Sequence, residues 1–263
     1  MSEANVGGGG SLSGRLALVT GGGTGIGRQF AETLAGLGAE VVVCGRRREP
    51  LEETARELSD AGHQARAMAA DITEEADCRR LATELPNLDI LVNNAGGGRL
   101  GPWQDVTPEE WRAVFALNLD APFRLSQLFV PSMVQRGWGR VVNVASVYGM
   151  LVGNPFFYPD FDWDSPAYVT SKHGLIGLTK YLAVRTGGTG VTVNVISPGM
   201  FPDTEANRDR SSAESRRRLS TFTPVGCTGN VEDLSSALAF LVAPESGFVT
   251  GHNVVVDGGW SLW

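Results

Sequence analysis

The chain has 263 residues, 42% hydrophobic and 19% charged, which is ample apolar material for a large core. A net charge of −7 and a pI near 5.1 exclude a general binder of nucleic acid or of an anionic membrane, since either wants a basic surface. No apolar run is long enough to cross a bilayer, and the three cysteines, Cys44, Cys78 and Cys227, show no metal-ligand spacing, so neither a disulfide framework nor a metal site is expected.

Residues 1–11 read as a flexible Gly-rich leader without the basic and apolar parts of a signal peptide, and a cytoplasmic location is expected. From there to residue 263, short β-branched runs alternate with amphipathic segments. That is the pattern of a single α/β domain, a doubly wound seven-stranded parallel sheet with helices on both faces. Strands are expected at Arg15–Thr20, Glu40–Cys44, Gln64–Ala69, Asp89–Asn93, Gly139–Ala145, Val191–Ile196 and Asn253–Val256. Helices are expected at Gly25–Leu37, Pro50–Ala61, Glu74–Glu84, Pro108–Arg136, Pro166–Arg185 and Val231–Leu241. Thr107-Pro-Glu-Glu110 is a capping box with proline at the first helical position, and Pro122 must disturb the same helix just upstream, near Asn118.

Directly after the first strand stands Thr20-Gly-Gly-Gly-Thr-Gly-Ile-Gly27, opening a helix. Glycines at 21, 25 and 27 let the chain turn tightly, bring backbone N–H groups up to a pyrophosphate and pack the helix closely on the sheet. The second strand runs into Gly45-Arg46-Arg47-Arg48, where a chain built for NAD carries an acidic residue for the ribose 2′-hydroxyl. Arginines in its place suit a 2′-phosphate, so NADP(H) is preferred with NAD(H) left open; a solvated basic turn is the alternative. Asp71, at the end of the third strand, could accept from an adenine amino group, or cap the next helix with Glu74 completing a capping box.

Tyr168 and Lys172 are four residues apart and share one helical face. Ser165-Pro166 reads as an N-cap and first-turn proline, which puts Tyr168 in the first turn. There the lysine cation and the helix dipole both favour a phenolate and would lower the phenol's pKa. The pair is a ready-made general acid/base, the plainer reading being a half-buried tyrosine beside a snorkelling lysine.

In this order along the chain, these pieces resemble the short-chain dehydrogenase/reductase family over almost everything from Leu12 to Trp260. The other matching pieces are Asn93-Asn-Ala-Gly96, Asn118, Ser146, Ser197-Pro-Gly199, and Val249-Thr-Gly251 to Asp257-Gly-Gly259. The resemblance implies a Rossmann-type oxidoreductase that interconverts a small-molecule ketone and a secondary alcohol, assembled as a homo-oligomer, a tetramer first and a dimer second. It gives Tyr168 the proton transfer, Lys172 the nicotinamide ribose and the lowering of the phenol's pKa, Ser146 a hydrogen bond to the substrate oxygen, and Asn118 the orienting of Lys172 through a water. The implied cofactor cradle comprises Gly21, Gly23, Thr24, Gly25, Ile26 and Gly27, Arg46 and Arg47, Asp71 and Ile72, and Asn94, Ala95 and Gly96. It is completed by Tyr168, Lys172, Pro198, Gly199 and Phe201.

Two departures from the family pattern stand out. The interval from Ser146 to Tyr168 is unusually long and holds an aromatic, acidic insertion over 150–165, expected either at the rim of the substrate pocket or in a subunit contact. A threonine that often meets the nicotinamide amide appears one residue late, as Thr204, within a polar stretch over 200–223 that reads as a mobile substrate lid. Trp260 and Trp263 suit a subunit contact or core packing. Rival readings are an NAD-dependent alcohol or polyol dehydrogenase of the same family and a nucleotide-binding protein without turnover. A serine hydrolase is disfavoured, because Ser146 lacks a G-x-S-x-G setting.

Overall fold

The computed structural model describes residues 11–98, 101–153, 165–202 and 212–262. The elements run β1 (Leu16–Thr20), α1 (Gly25–Gly36), β2 (Glu40–Gly45), α2 (Arg48–Asp60), β3 (Ala65–Ala69), α3 (Glu75–Glu84), β4 (Ile90–Asn93), α4 (Pro108–Phe115) and α5 (Ala121–Arg136). Then come β5 (Gly139–Val144), α6 (Pro166–Arg185), β6 (Val191–Pro198), α7 (Ala213–Ser220), α8 (Ser235–Val242) and β7 (Asn253–Val256). Seven parallel strands lie in the order β3-β2-β1-β4-β5-β6-β7. The order reverses between β1 and β4, so the carboxyl ends of those two strands form the crevice where such sheets take their ligands.

Strand alternation sorts the core into two layers. Ala17, Val19, Val41, Val43, Ile90 and Val92 turn to one face and pack with Phe30 and Leu34 of α1, Leu51 of α2 and Leu238 of α8. Leu18, Val42, Cys44 and Leu91 turn to the other and meet Leu81 of α3 with Leu125 and Phe129 of α5. Each fully buried leucine contributes about 2 kcal/mol, so the two layers together are what fixes strand register.

The capping box at α4 forms, with Thr107 Oγ1 accepting from Glu110 N–H at 3.2 Å and Glu110 Oε2 accepting from Thr107 N–H at 3.1 Å. The single helix expected over Pro108–Arg136 is instead α4 and α5 joined by a π-helical turn, Ala116–Asp120, with Ala121 N–H reaching back to Ala116 O. Pro122 offers no N–H to the carbonyl of Asn118, four residues earlier, and the helix widens there. The helix expected over Val231–Leu241 is a 3₁₀ turn, Val231–Leu234, followed by α8. Residues 213–220, expected as mobile lid, form α7, capped by Ser212 Oγ accepting from Ser215 N–H at 3.1 Å. Its signals were present in the sequence: a serine cap, Glu214 in the first turn, and Arg217 and Arg218 in the last, each matched to the helix dipole. Most of the insertion (154–164), most of the leader (1–10), Thr204 with the rest of 203–211, and Trp263 lie outside the described residues.

Candidate active site

Thr20, the last residue of β1, binds the glycine loop to the exit of β4. Its hydroxyl donates to Val92 O at 3.3 Å and accepts from Asn94 N–H and Ala95 N–H, each at 3.0 Å. The Asn94 amide donates to Thr20 O at 2.9 Å, so its side chain is engaged by the loop, and this stretch offers a ligand chiefly the main chain of Ala95 and Gly96. Sequence reasoning quoted Thr20 but did not single it out. At Gly27, in the first turn of α1, a Cβ would collide with the carbonyl oxygen of Gly21 and come within 2.5 Å of the Asn94 amide nitrogen, so the helix approaches the loop only because no side chain is there. Thr24 is the N-cap of α1, and α1 carries no acid in its first turn, which leaves its positive end turned to an anion.

Arg46 and Arg47 are exposed just past β2, and Arg48, also exposed, pairs with Glu52 at 3.3 Å. At Gly45 a Cβ would meet only Leu51, at 3.7 Å, so packing does not forbid an acid at this position. The Asp71 carboxylate does not cap the next helix. Its Oδ1 accepts from the N–H and the hydroxyl of Thr73, at 3.0 and 2.7 Å, and α3 starts at Glu75 without a side-chain cap. Asp71 N–H in turn donates to Asp77 at 2.7 Å. The Ile72 and Phe201 side chains are buried core groups and Ile26 packs against the same core, so only their main chains are left to a cofactor. Pro198 ends β6, and Gly199 N–H bonds Val256 O at 2.9 Å, which ties this corner to β7.

The four expected catalytic residues converge from three elements. Ser146 follows β5 with its side chain buried, accepting from Tyr148 N–H at 3.2 Å and lying near enough to the Tyr168 phenol to favour its ionised form. Tyr168, in the first turn of α6, is half-buried. Burial pushes its phenol above the ordinary value, and the nearby Ser146 hydroxyl offsets part of that shift. This differs from the lowered value that the lysine spacing suggested. The reason lies in Lys172, one turn on and 4% exposed, whose ammonium donates to Val144 O at 2.6 Å and stands 5.6 Å from the centre of the Tyr168 ring. Desolvation pushes Lys172 itself down to about 8.

Asn118 is fully enclosed in the π turn, its Oδ1 and Lys172 Nζ both within 3.1 Å of the point where a Cβ on Gly96 would stand. Its Oδ1 accepts from Gly97 N–H and its Nδ2 donates to Gly97 O, both at 2.9 Å, and Nδ2 also donates to Ser171 Oγ at 3.0 Å. Ser171 was passed over in the sequence because it sits between the two residues that carry the motif.

A satellite cluster packs next to Ser146. Val147, Met200, Leu219 and Trp260 are buried together, with Tyr148, Leu151 and Phe222 against them. Tyr148 meets Trp260 edge-on at 5.6 Å. Trp260 is 5% exposed, which settles its two readings in favour of packing. The cluster connects the turn after Ser146, the corner after Gly199, α7 and the C-terminal turn. A separate hollow of about 100 Å³ opens between Pro102, Val106, Val114 and Ala167, but its lining includes none of Ser146, Tyr168 and Lys172.

Among the described residues no helix is long and apolar enough to cross a membrane, and no group of acidic, histidine or cysteine side chains could hold a metal. Residues 15–215 match the model of the short chain dehydrogenase family. The chain is 34% identical to 2-dehydro-3-deoxy-D-gluconate 5-dehydrogenase of Bacillus subtilis (strain 168), over 95% of this chain and 96% of that one. It is also 34% identical to 3-oxoacyl-(acyl-carrier-protein) reductase FabG of Escherichia coli (strain K12), over 95% and 98%. The crystal structure of a gluconate 5-dehydrogenase from Burkholderia cenocepacia J2315, in complex with NADP and tartrate, superposes with a TM-score of 0.87 at 34% identity, covering 96% of this chain and 97% of that one. With the Rossmann-type sheet, the glycine loop and the Ser146/Tyr168/Lys172 cluster in place, these matches establish that the chain is an oxidoreductase of the short-chain dehydrogenase/reductase family.

Proposed function

We propose that the protein is an NADP(H)-preferring oxidoreductase that interconverts a small-molecule ketone and its secondary alcohol, acting chiefly as a ketoreductase. The observation that carries this reading is the meeting of three groups at one point: the Ser146 hydroxyl near the Tyr168 phenol, with the enclosed Lys172 ammonium beside the same ring. A binding module without turnover has no use for that arrangement. The glycine loop fits a dinucleotide, because a Cβ at Gly27 would close the approach of α1 that its pyrophosphate needs.

In this reading the main chain of Gly21 and Gly23–Gly27 holds the pyrophosphate at the start of α1. Arg46 and Arg47 meet the 2′-phosphate, and Asp71 and Ile72 with Ala95 and Gly96 flank the adenosine. Lys172 takes the nicotinamide ribose, with Pro198, Gly199 and Phe201 along the ring. When bound, the reduced cofactor supplies a hydride to the substrate carbonyl carbon. Ser146 holds the carbonyl oxygen, and Tyr168 donates its proton to that oxygen as negative charge develops there. A phenol held above its ordinary value stays protonated at neutral pH, which suits the reductive direction.

The preference for NADP(H) is supported by Gly45, where an acid would fit and is absent, and by the NADP held by the Burkholderia relative. The insertion over 150–165 serves the substrate pocket: Leu151 joins the satellite cluster, and Met150 Sδ accepts from Asn253 Nδ2 at 3.0 Å, so its described start is anchored on the substrate side. Assembly as a homotetramer, or failing that a dimer, completes the reading, with exposed Tyr181, Val184 and Phe248 as apolar surface for it. The test is NADPH oxidation followed by absorbance with 5-keto-D-gluconate and an acetoacetyl thioester, ketones chosen from the relatives' names, beside calorimetric titration with NADPH and NADH. NADPH binding with reduction of either ketone is expected. Tighter binding of NADH would overturn the cofactor assignment, and failure to bind either dinucleotide would overturn the reading as a whole.

A further inference from the structure

The chain of hydrogen bonds that leaves Asn118 does not stop at Ser171. Asn118 Nδ2 donates to Ser171 Oγ at 3.0 Å, and Ser171 Oγ donates to Tyr168 O at 2.8 Å, three residues back on α6. The hydroxyl is fully enclosed and makes one bond as acceptor and one as donor. On its far side Asn118 grips Gly97 by both N–H and carbonyl. The two neighbours of Gly97 press on the reacting side chains: a Cβ at Gly96 would come within 3.0 Å of Lys172 Nζ, and one at Gly98 within 2.8 Å of Tyr168 Cβ. The segment Gly96–Gly98 therefore runs close beside both Tyr168 and the Lys172 ammonium, with no room for a side chain at Gly96 or Gly98. Its seat is set by Asn118, and the orientation of the Asn118 amide is set by Ser171.

We infer that Ser171 is a positioning residue of the reaction, linking the π turn to the first turn of α6 so that the Gly96–Gly98 segment holds Tyr168 and Lys172 in register. The inference rests on the proposed roles of those two side chains. The amide of Asn118 could be held by Gly97 alone, but two bonds to one residue leave it free to rock about that contact, whereas the third bond, to a different element, removes the motion. A rock of under an ångström matters to the catalytic pair, because Gly96 and Gly98 stand too near Lys172 and Tyr168 to admit even a Cβ at ordinary contact. Misplacement on that scale away from the chemistry reduces turnover without abolishing binding.

The experiment compares Ser171→Ala, Ser171→Thr, Asn118→Ala and the double variant Ser171→Ala/Asn118→Ala, with Tyr168→Phe as reference. Ser171→Ala is expected to lower kcat for whichever of 5-keto-D-gluconate and the acetoacetyl thioester is reduced by about tenfold or more, with KM for NADPH changed less than about threefold and the pH profile of kcat displaced. Ser171→Thr should restore most of the loss, since a threonine hydroxyl also bonds a carbonyl three or four residues back. The double variant should be no slower than Asn118→Ala alone, because the serine acts through the asparagine. A second reading needs no turnover: amide hydrogen exchange at Gly97 should accelerate in Ser171→Ala, as the acceptor of that N–H loosens. Unchanged kcat in Ser171→Ala, an unmoved pH profile, or full additivity with Asn118→Ala would overturn the inference. Tyr168→Phe separates the two levels. If it retains turnover, the assigned chemistry is wrong; if it is inactive while Ser171→Ala behaves as the parent, only the positioning role falls.

Discussion

Lys172 should cost the fold stability, and the amount can be worked from its surroundings. Its ammonium is 4% exposed, has Val144 O as its hydrogen-bond partner at 2.6 Å, and is pushed by desolvation from 10.5 down to about 8. At about 1.4 kcal/mol for each tenfold change in proton affinity, holding the charged form at neutral pH is about 3 kcal/mol less favourable in the folded chain than in the unfolded one. The folded value lies below the unfolded one, so between about pH 8 and pH 10.5 the unfolded chain binds more protons, and stability rises with pH across that window. Below about pH 8 the penalty is present in full. Lys172→Met keeps the length of the side chain and removes the charge; losing the bond to Val144 O returns about 1 kcal/mol of the gain, leaving a net stabilisation of about 2 kcal/mol at pH 7. Urea unfolding of the parent and the variant at pH 7 and pH 10 tests this. The variant should unfold at higher urea at pH 7, the two curves should converge towards pH 10, and turnover should be lost. A variant less stable than the parent at pH 7, or a gap that does not narrow with pH, would refute the argument that the lysine is held against its own solvation.

Three further outcomes are expected. Tyr168→Phe should keep NADPH binding within about threefold while turnover falls at least about a hundredfold, and in the parent the reductive kcat should fall as pH rises through the raised value of the phenol. Gly45→Asp combined with Arg46→Ser should erase or reverse a preference for NADPH over NADH in calorimetry, with little change in melting temperature, because a Cβ at 45 meets only Leu51 at ordinary contact. Replacing 154–162 by a Gly-Ser linker should raise KM or change substrate preference with NADPH affinity within about threefold, less than about 1 kcal/mol; a fall in oligomer mass by light scattering as the sole effect would assign the segment to a subunit contact instead.

What could be read from the sequence was whatever depends on local pattern. Strand runs such as Val41-Val42-Val43-Cys44 are apolar throughout because both faces are covered, so composition places six of the seven strands within a residue of where they lie and ends β6 two residues short of Pro198. Thr107-Pro-Glu-Glu110 is a complete cap in itself, and Pro122 announces the widened turn at Asn118 by what it lacks. The four candidate catalytic residues were legible because the family resemblance fixes them, although three arrive from elements far apart in the chain. What was not legible depends on distance in space. Asp71 looks like a cap for α3 until Thr73 takes its carboxylate. Nor does the sequence beside Gly199 announce that the Phe201 ring packs in the core.

The phenol of Tyr168 shows the same limit in its most consequential form. Spacing on a helix places a cation one turn from a tyrosine, and at that level Coulomb attraction alone decides the sign, downward. In the folded chain the same packing that brings Lys172 near removes water from both groups, and Lys172 directs its hydrogen bond to Val144 O rather than to the phenol. Desolvation then acts on both, raising the tyrosine from 10.0 and lowering the lysine from 10.5 to about 8, so their proton affinities cross and move apart. The phenol therefore keeps its proton at neutral pH, ready for a substrate oxygen that enters beside the Ser146 hydroxyl. The stability lost at Lys172 and the raised proton affinity of the Tyr168 phenol thus have one physical origin, and a substitution that rehydrates the pair without touching either side chain should reverse both.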